Sequence, residues 1–178
     1  MKLFSIAMMS MVMIFSTFGQ EKKSGPVVPN FGKVWEIDQP DFETDTTKEY
    51  KAVFDIMRSP ESHEEINSSI ETAARFLNMH AQSGVPVDQL KAVLVVHNKA
   101  SKDIIQNEAY QKRFGVPNPN FEMLQELMDA GVEVIFCGQS SRSRGFPKEE
   151  LVPGVQLSLS AMTALIQLQN DGYQLIKF

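Results

Sequence analysis

The chain has 178 residues, of which 43% are hydrophobic and 22% are charged, so it is large enough to bury the core of one domain. The net charge of -5 argues against a nucleic-acid or anionic-membrane surface, because such a surface needs an excess of Lys and Arg. The single cysteine, Cys137, excludes an intrachain disulfide, a Cys-rich zinc site and a CxxC redox pair. The three histidines lack metal-ligand spacing and no nucleotide-binding motif is present, so we expect neither a metal nor an organic cofactor.

The N-terminus has the pattern of a secretory signal peptide, with a short basic start before an uncharged apolar run over residues 3–18. Thr17 and Gly19 have the small side chains of a cleavage site, and we place the cut between Gly19 and Gln20. The apolar run is shorter than the roughly 20 residues that a membrane-spanning helix needs, although an uncleaved anchor is the alternative. We therefore expect an exported protein, periplasmic or secreted, that leaves the membrane after cleavage.

The remaining sequence divides into a leader and one domain. Residues 20–49 are polar and contain several Pro and Gly residues, which predicts a flexible, irregular leader. In residues 50–178, strand and helix patterns alternate, and Ser62 with Glu65 is a capping box for the first helix. The predicted strands cover residues 51–57, 90–96, 132–137, 155–159 and 173–178. The predicted helices lie at 62–84, 104–114, 120–131 and 161–172. This alternation predicts a three-layer α/β fold, with a mostly parallel sheet of about five strands and helices on both faces.

Three polar segments follow predicted strands, at the edge where parallel sheets bind ligands. They are Arg58-Ser59, His97 to Ser101, and Cys137 to Gly145. Cys137 ends a buried strand and begins a Gly/Ser-rich segment that we predict to be a loop. Backbone N–H groups of this loop, with Arg142 and Arg144 nearby, would favour the nucleophilic thiolate over the thiol. The alternatives are a Cys137 that is a small apolar residue of the core and two arginines that are solvated loop charges.

The predicted catalytic residues are Cys137 and His97, and the predicted ligand-binding residues come from the same two segments. These ligand-binding residues are Gly138, Gln139, Ser140, Arg142, Arg144 and Asn98. His97 follows a buried strand, so it is either a base or hydrogen-bond donor for the thiol or a packed residue without such a role. Asp55 lies inside an apolar strand, which is costly unless the carboxylate reaches solvent or a hydrogen-bond partner.

Five segments of the chain together resemble one known family. They are Val93 to His97, Leu127 to Cys137, Arg144-Gly145, Leu151 to Val155 and Leu168 to Tyr173. Their most specific part is Gly-Val, a strand that ends at Cys137, and Arg-Gly seven to eight residues later. Over roughly residues 51–178 the chain resembles the DsrE/DsrF-like family, which includes the sulfur-relay subunits of tRNA thiolation and of dissimilatory sulfur oxidation.

The resemblance implies a Rossmann-like or flavodoxin-like fold and homotrimers or hexamers, with the cysteine segment near a subunit interface. In relay members, a cysteine at the place of Cys137 accepts a persulfide sulfur and passes it on. One hypothesis is therefore an exported sulfur carrier, whose partners are a sulfur donor or acceptor protein or a small thiol, with sulfurtransferase-like activity left open. The other is a non-enzymatic oligomeric module that binds a small ligand or a partner in the same strand-end cleft.

Overall fold

The computed structural model describes residues 21–177, so the predicted signal peptide over residues 1–19 lies outside the described part of the chain. The strands are β1 (Tyr50–Ile56), β2 (Leu90–Val96), β3 (Glu133–Cys137), β4 (Gln156–Ser158) and β5 (Gln174–Ile176). The helices are α1 (Ser68–Gln82), α2 (Asn107–Phe114), α3 (Phe121–Asp129), α4 (Gly138–Arg144) and α5 (Ala161–Asn170). All pairs of neighbouring strands are parallel, in the order β4-β3-β2-β1-β5. The predicted α/β fold is confirmed.

The central strand β2 divides its side chains between two cores. Its sequence is almost continuously apolar, as expected for a strand covered on both faces. Leu94 and Val96 pack in the larger core, which α1, α2 and α3 share, whereas Val93 and Val95 pack in the smaller core beneath α5. Cys137 belongs to the smaller core. Within residues 21–177, we find no helix with the length and apolar character that a membrane span requires.

The first helix begins later than the sequence pattern predicts. α1 starts at Ser68, and Asn67 caps it by accepting a hydrogen bond from the N–H of Ser69 at 2.9 Å. Ser62 instead accepts a hydrogen bond from the N–H of Glu64 in a local turn, so the predicted capping box was wrong. Asn and Ser are about equally good caps, and the buried position of Asn67 decides between them.

Residues 21–49 contain no helix or longer strand, and they pack against α1. The buried side chain of Asn78 accepts a hydrogen bond from the N–H of Val28 at 2.9 Å and donates to three nearby carbonyl groups. Gly32 lies so close to α1 that a Cβ there would be 2.4 Å from the carbonyl carbon of Ala74, which excludes a side chain. Where the leader ends and the domain begins stays a prediction.

Candidate functional site

Cys137 is the last residue of β3, and the chain continues from it directly into α4. The predicted Gly/Ser-rich loop was therefore wrong, because residues 138–144 form a short helix. Gly138 permits this tight entry, since a Cβ there would lie 2.5 Å from the carbonyl oxygen of Ser158 in β4. Gly145 closes the helix with a φ of 69°. The segment has no apolar stripe, so the close packing at Gly138 and the left-handed cap at Gly145 determine the helix.

Hydrogen-bond donors surround the sulfur of Cys137, which is 5% exposed. The backbone N–H groups of Ser140 and Ala161, the hydroxyl of Ser140 and the N–H of Gln139 lie close enough to the sulfur to lower the pKa of the thiol. Burial raises the pKa of the Cys137 thiol, but these donors outweigh burial and bring the pKa below its ordinary value. Because Gln139 and Ser140 belong to the first turn of α4 and Ala161 begins α5, two helix starts converge on one sulfur and favour its anion.

His97 follows β2, but its ring binds a different partner from the predicted one. Its Nε2 lies 2.7 Å from Oδ1 of Asp55 in β1, and within residues 21–177 no hydrogen bond joins His97 to Cys137. Oδ2 of Asp55 lies 2.7 Å from Nζ of Lys177. Burial raises the pKa of Asp55, but hydrogen bonds from Lys177 and His97 outweigh it and hold the pKa below its ordinary value. Lys177 and His97 therefore provide the partners that the Asp55 carboxylate needs, because a buried charge without partners in an apolar strand would be destabilising.

Asn98 connects the cysteine segment with Arg144. Its φ of 55° is uncommon for a residue other than Gly. Its N–H donates to the hydroxyl oxygen of Ser140 at 3.0 Å, and its side-chain oxygen accepts a hydrogen bond from the guanidinium of Arg144. Arg142 is exposed and, within residues 21–177, makes no hydrogen bond or ion pair. The structure thus brings Asn98, Ser140 and Arg144 together but leaves Arg142 apart from them.

Two contributors to the site were missed in the sequence. The N–H of Ala161 reaches the sulfur because α5 begins there, after Ser160 caps the helix by accepting from the N–H of Thr163 at 3.1 Å. A Ser before an apolar helical run is a recognisable cap, but its place beside β3 depends on the tertiary fold. Lys177 was missed because only the pairing of β5 with β1 brings it to Asp55.

The family and the fold of the chain follow from its similarity to other proteins. A sequence model of the DsrE/DsrF-like family matches residues 51–178. The chain belongs to this family. One similar structure is that of MTH1491, a protein of unknown function from Methanobacterium thermoautotrophicum, with 17% identity, a TM-score of 0.53, and coverage of 73% of this chain and 100% of that one. Another is the ychN protein from E. coli, with 21% identity, a TM-score of 0.53, and coverage of 72% of this chain and 99% of that one. None of the curated proteins matches the chain.

Membership of the DsrE/DsrF-like family confirms the resemblance inferred from the sequence. At 17% and 21% identity, the two solved structures show that the fold is shared. In this DsrE/DsrF-like chain, the geometry adds a buried sulfur with converging donors and, beside it, a hydrogen-bonded pair of His97 and Asp55. Within residues 21–177, no three His, Cys, Asp or Glu side chains lie together as a metal site would require.

Proposed function

We propose that the chain is an exported sulfur carrier that holds a sulfane sulfur as a persulfide on Cys137. The observation that carries this proposal is the convergence of donors from the starts of α4 and α5 on the Cys137 sulfur. In the persulfide anion the charge lies on the outer sulfur, one S–S bond of about 2 Å beyond Sγ, so the N–H groups at the two helix starts are near enough to favour that anion as well. Family membership supports the proposal, since the family includes sulfur-relay proteins.

The chemical step needs no oxidant and no cofactor. The Cys137 thiolate attacks the outer, sulfane sulfur of a donor persulfide, R–S–SH. A bond forms between Sγ and the sulfane sulfur, the S–S bond of the donor breaks, and its electron pair leaves with R–S⁻. The products are the Cys137 persulfide and a thiolate, which takes up a proton. Attack on the outer sulfur by an acceptor thiolate then repeats the exchange and regenerates Cys137. His97 is proposed to move the proton.

The other predicted site residues are proposed to recognise the donor or the acceptor. Gly138 and Gln139 begin α4 next to the sulfur, and Asn98 joins Ser140 to Arg144. The exposed Arg142 and Arg144 would attract a negatively charged donor toward the site. In this proposal, the backbone N–H groups and the Ser140 hydroxyl stabilise the sulfur anion, and the other residues bind the donor or the acceptor.

We also propose that the chain forms homotrimers or hexamers through the outer surface of α5. Leu159, Met162 and Ile166 are 73%, 72% and 59% exposed on or beside this helix. Large apolar side chains exposed together are typical of an interaction surface. Because α5 also covers Cys137, this interface would border the site. Light scattering should give a mass of several chains, and Met162→Lys with Ile166→Lys should reduce it, whereas a monomeric wild type would contradict the proposal.

Intact-mass spectrometry tests the sulfur carrier directly. Wild-type protein and Cys137→Ser, which has no other cysteine, are incubated with a small-molecule persulfide, desalted and weighed. We expect the wild type to gain the mass of one sulfur atom and the variant to gain nothing. A later incubation with a free thiol should remove the added sulfur. Absence of the mass gain in folded wild type, or an equal gain in Cys137→Ser, would show that the proposal is wrong.

A second candidate is a non-enzymatic module that binds a small anionic ligand. A groove of about 490 Å³ lies beyond the ends of β1 and β2 and beside α4. Its lining includes Ser59, His63, Lys99, Lys102, Arg144 and Phe146. Lys99, Lys102 and Arg144 outnumber the one acid of the lining, Glu61, which lies 3.8 Å from Lys99, so the groove favours an anion. Calorimetry with thiosulfate and phosphate discriminates the candidates, since a binding module keeps its affinity in Cys137→Ser and loses it in Lys99→Met.

Export is proposed from the signal-peptide pattern of residues 1–19. We infer that the mature chain begins at Gln20, with a leader over residues 20–49 before the domain over residues 50–178. N-terminal sequencing of protein from the extracytoplasmic fraction should begin at Gln20. Recovery of the intact N-terminus from the cytoplasm would contradict the proposal, and recovery of it from membranes would indicate an uncleaved anchor.

A further inference from the structure

Four side chains form a row across one face of the sheet at its carboxyl end. In the order of the strands they are Lys177 after β5, Asp55 in β1, His97 after β2 and Cys137 at the end of β3. The residue before each of the four packs in or against the larger core on the opposite face. Side chains of an extended chain alternate between faces, so all four belong to the α5 face.

His97 and Cys137 lie on neighbouring strands at the same level of the sheet. Val96 is paired with Phe136, so the next residues of both strands are also neighbours. His97 continues β2 with an extended backbone, at a φ of -157° and a ψ of -179°. Parallel strands lie roughly 4.8 Å apart, so the backbones of His97 and Cys137 are neighbours and both side chains belong to the same face of the sheet.

The charges in this row determine which nitrogen of His97 carries hydrogen. Asp55 is ionised between two partners, with Nζ of Lys177 at 2.7 Å from one oxygen and Nε2 of His97 at 2.7 Å from the other. An ionised carboxylate only accepts hydrogen bonds, so Nε2 donates and therefore carries the hydrogen. In a neutral imidazole, Nδ1 is then the nitrogen with the free lone pair.

We propose that Asp55 is a positioning residue for sulfur transfer, which holds His97 in the Nε2–H tautomer and leaves Nδ1 free to exchange a proton with the sulfur chemistry at Cys137. This inference rests on the sulfur-carrier function proposed above. Nδ1 first takes the proton of the Cys137 thiol, the resulting thiolate attacks the donor persulfide, and Nδ1 then gives the proton to the leaving thiolate. The balanced reaction is Cys137–SH plus R–S–SH, giving Cys137–S–SH plus R–SH.

The charged groups around His97 support a role for Asp55. No residue of α5, the helix packed over this face, is charged. The nearby charges on α4 are Arg142 and Arg144, which are exposed, and Arg144 binds Asn98. Asp55 is 6% exposed in its side chain, whereas Lys177 is 55% exposed, so the carboxylate is the protected member of the row. Lys177 offsets the charge of Asp55 while leaving it as an acceptor for His97.

The wild-type protein provides the first test, through the ¹⁵N resonances of the His97 ring. The resonances are assigned by their loss in His97→Gln and recorded at mildly alkaline pH. We expect the protonated-nitrogen signature at Nε2 and the lone-pair signature at Nδ1. In Asp55→Asn the amide can donate to Nε2, so the Nδ1–H form should become populated. A wild-type ring with its hydrogen on Nδ1 would overturn the proposal without any variant of Asp55.

Transfer kinetics provide the second test, with persulfide uptake and release timed by mass spectrometry. We expect Asp55→Asn to slow transfer at least about tenfold, because general acid–base groups contribute about a hundredfold or more. Asp55→Glu, which restores a carboxylate, should recover most of the rate. The matched control Asp171→Asn, an exposed acid after α5, should transfer as fast as wild type.

The outcomes separate this inference from the sulfur-carrier function. If folded wild type takes up no sulfur, the function fails, whatever the ring resonances show. If wild type takes up sulfur and folded Asp55→Asn transfers it at the same rate, only the role of Asp55 fails. If Asp55 has only a structural role, Asp55→Asn should slow transfer only in proportion to the fraction of unfolded protein. The folded fraction should then keep the wild-type His97 tautomer. That result would also overturn the proposal.

Discussion

Two buried polar groups near the carboxyl end of the sheet have pKa shifts in opposite directions. Burial raises the pKa of the Cys137 thiol, but hydrogen-bond donors outweigh it, so the net shift is downward. The Asp103 carboxyl follows β2 and is 0% exposed, and burial raises its pKa despite three donating side chains. The donors are Lys102 Nζ at 3.0 Å, Asn67 Nδ2 at 2.7 Å and Ser59 Oγ at 2.9 Å. We call Asp103 with these three residues the Asp103 cluster.

The difference lies in where the donors come from. Backbone N–H groups at two helix starts lie near the Cys137 sulfur and lower the pKa of its thiol, because their dipoles favour an anion. The Asp103 cluster relies on side chains and lies deeper, so the loss of water dominates. It also connects chain segments, since the N–H of Asn67 donates to Asn120 at 2.6 Å and Asn118 donates to the carbonyl of Asp103 at 2.9 Å. One region is therefore suited to chemistry and the other to holding the strand ends together.

The largest expected effect is the loss of stability in Asn67→Ala. This substitution removes the cap of α1, the hydrogen bond to Asp103 and the bond from Asn67 to the carbonyl of Arg58. We expect the free energy of unfolding to fall by about 2–4 kcal/mol, from a lost cap and a buried carboxyl deprived of one donor. Urea denaturation measures the change. The exposed Asn170→Ala is the matched control and should change stability by less than about 0.5 kcal/mol.

The same variant also tests whether the two regions are separate. We expect the pH dependence of Cys137 alkylation to be the same in folded Asn67→Ala as in wild type. A shifted alkylation profile would mean that the Asp103 cluster also determines the pKa of the Cys137 thiol, so the two regions would not be separate.

The next largest effect is expected from Gly138→Ala, which acts on the cysteine region. The new Cβ would lie 2.5 Å from the carbonyl oxygen of Ser158, and backbone cannot move aside cheaply. We expect a loss of about 1–3 kcal/mol and a displaced start of α4, so the pKa of Cys137 rises and alkylation needs higher pH. Gly145→Ala at the other end of α4 is the control. Its positive φ makes this substitution destabilising too, but no atom near the Cys137 sulfur is displaced. Equal alkylation profiles in the two variants would refute this account.

A smaller and more local effect is expected from Ser140→Ala. The substitution removes the hydroxyl that lowers the pKa of the thiol but keeps the backbone N–H. We expect the pKa of Cys137 to rise and the alkylation profile to move to higher pH, by less than in Gly138→Ala. Ser143→Ala, an exposed serine of the same helix, should leave the profile unchanged. An unshifted profile in Ser140→Ala would show that the backbone alone stabilises the thiolate.

The fold was largely predictable because its signals are local. β2 and β3 are apolar runs bounded by polar residues, and such runs predict buried strands. The helix of residues 138–144 was not predictable in the same way, because it has no apolar stripe. Its start depends on the contact between Gly138 and β4, which are distant in the sequence. Likewise, the choice of Asn67 over Ser62 as the cap of α1 depends on buried partners that the sequence does not show.

The site was predictable in its location but not in its contacts. The strand-end position of Cys137 is visible in the sequence, and so is the cost of Asp55 in an apolar strand. The partners of both residues cannot be predicted without the strand order of the sheet. Only when β5, β1, β2 and β3 lie side by side do their side chains form a row, which consists of Lys177, Asp55, His97 and Cys137. The N–H of Ala161 reaches the sulfur for the same reason, because α5 packs across that face.

The smallest expected effect, a pH slope, distinguishes the two buried carboxyls by its sign. Asp103 has a raised pKa, so above about pH 3.9 the folded state binds more protons than the unfolded state, and stability falls as pH rises through the folded pKa. Asp55 has a lowered pKa, so its contribution is present above about pH 3.9 and is lost as pH falls through the folded pKa. The stability lost in Asp103→Asn should therefore shrink from acid to neutral pH, whereas that lost in Asp55→Asn should grow. Urea midpoints across this range measure both slopes, and slopes of the same sign would show that the two environments do not differ as the structure indicates.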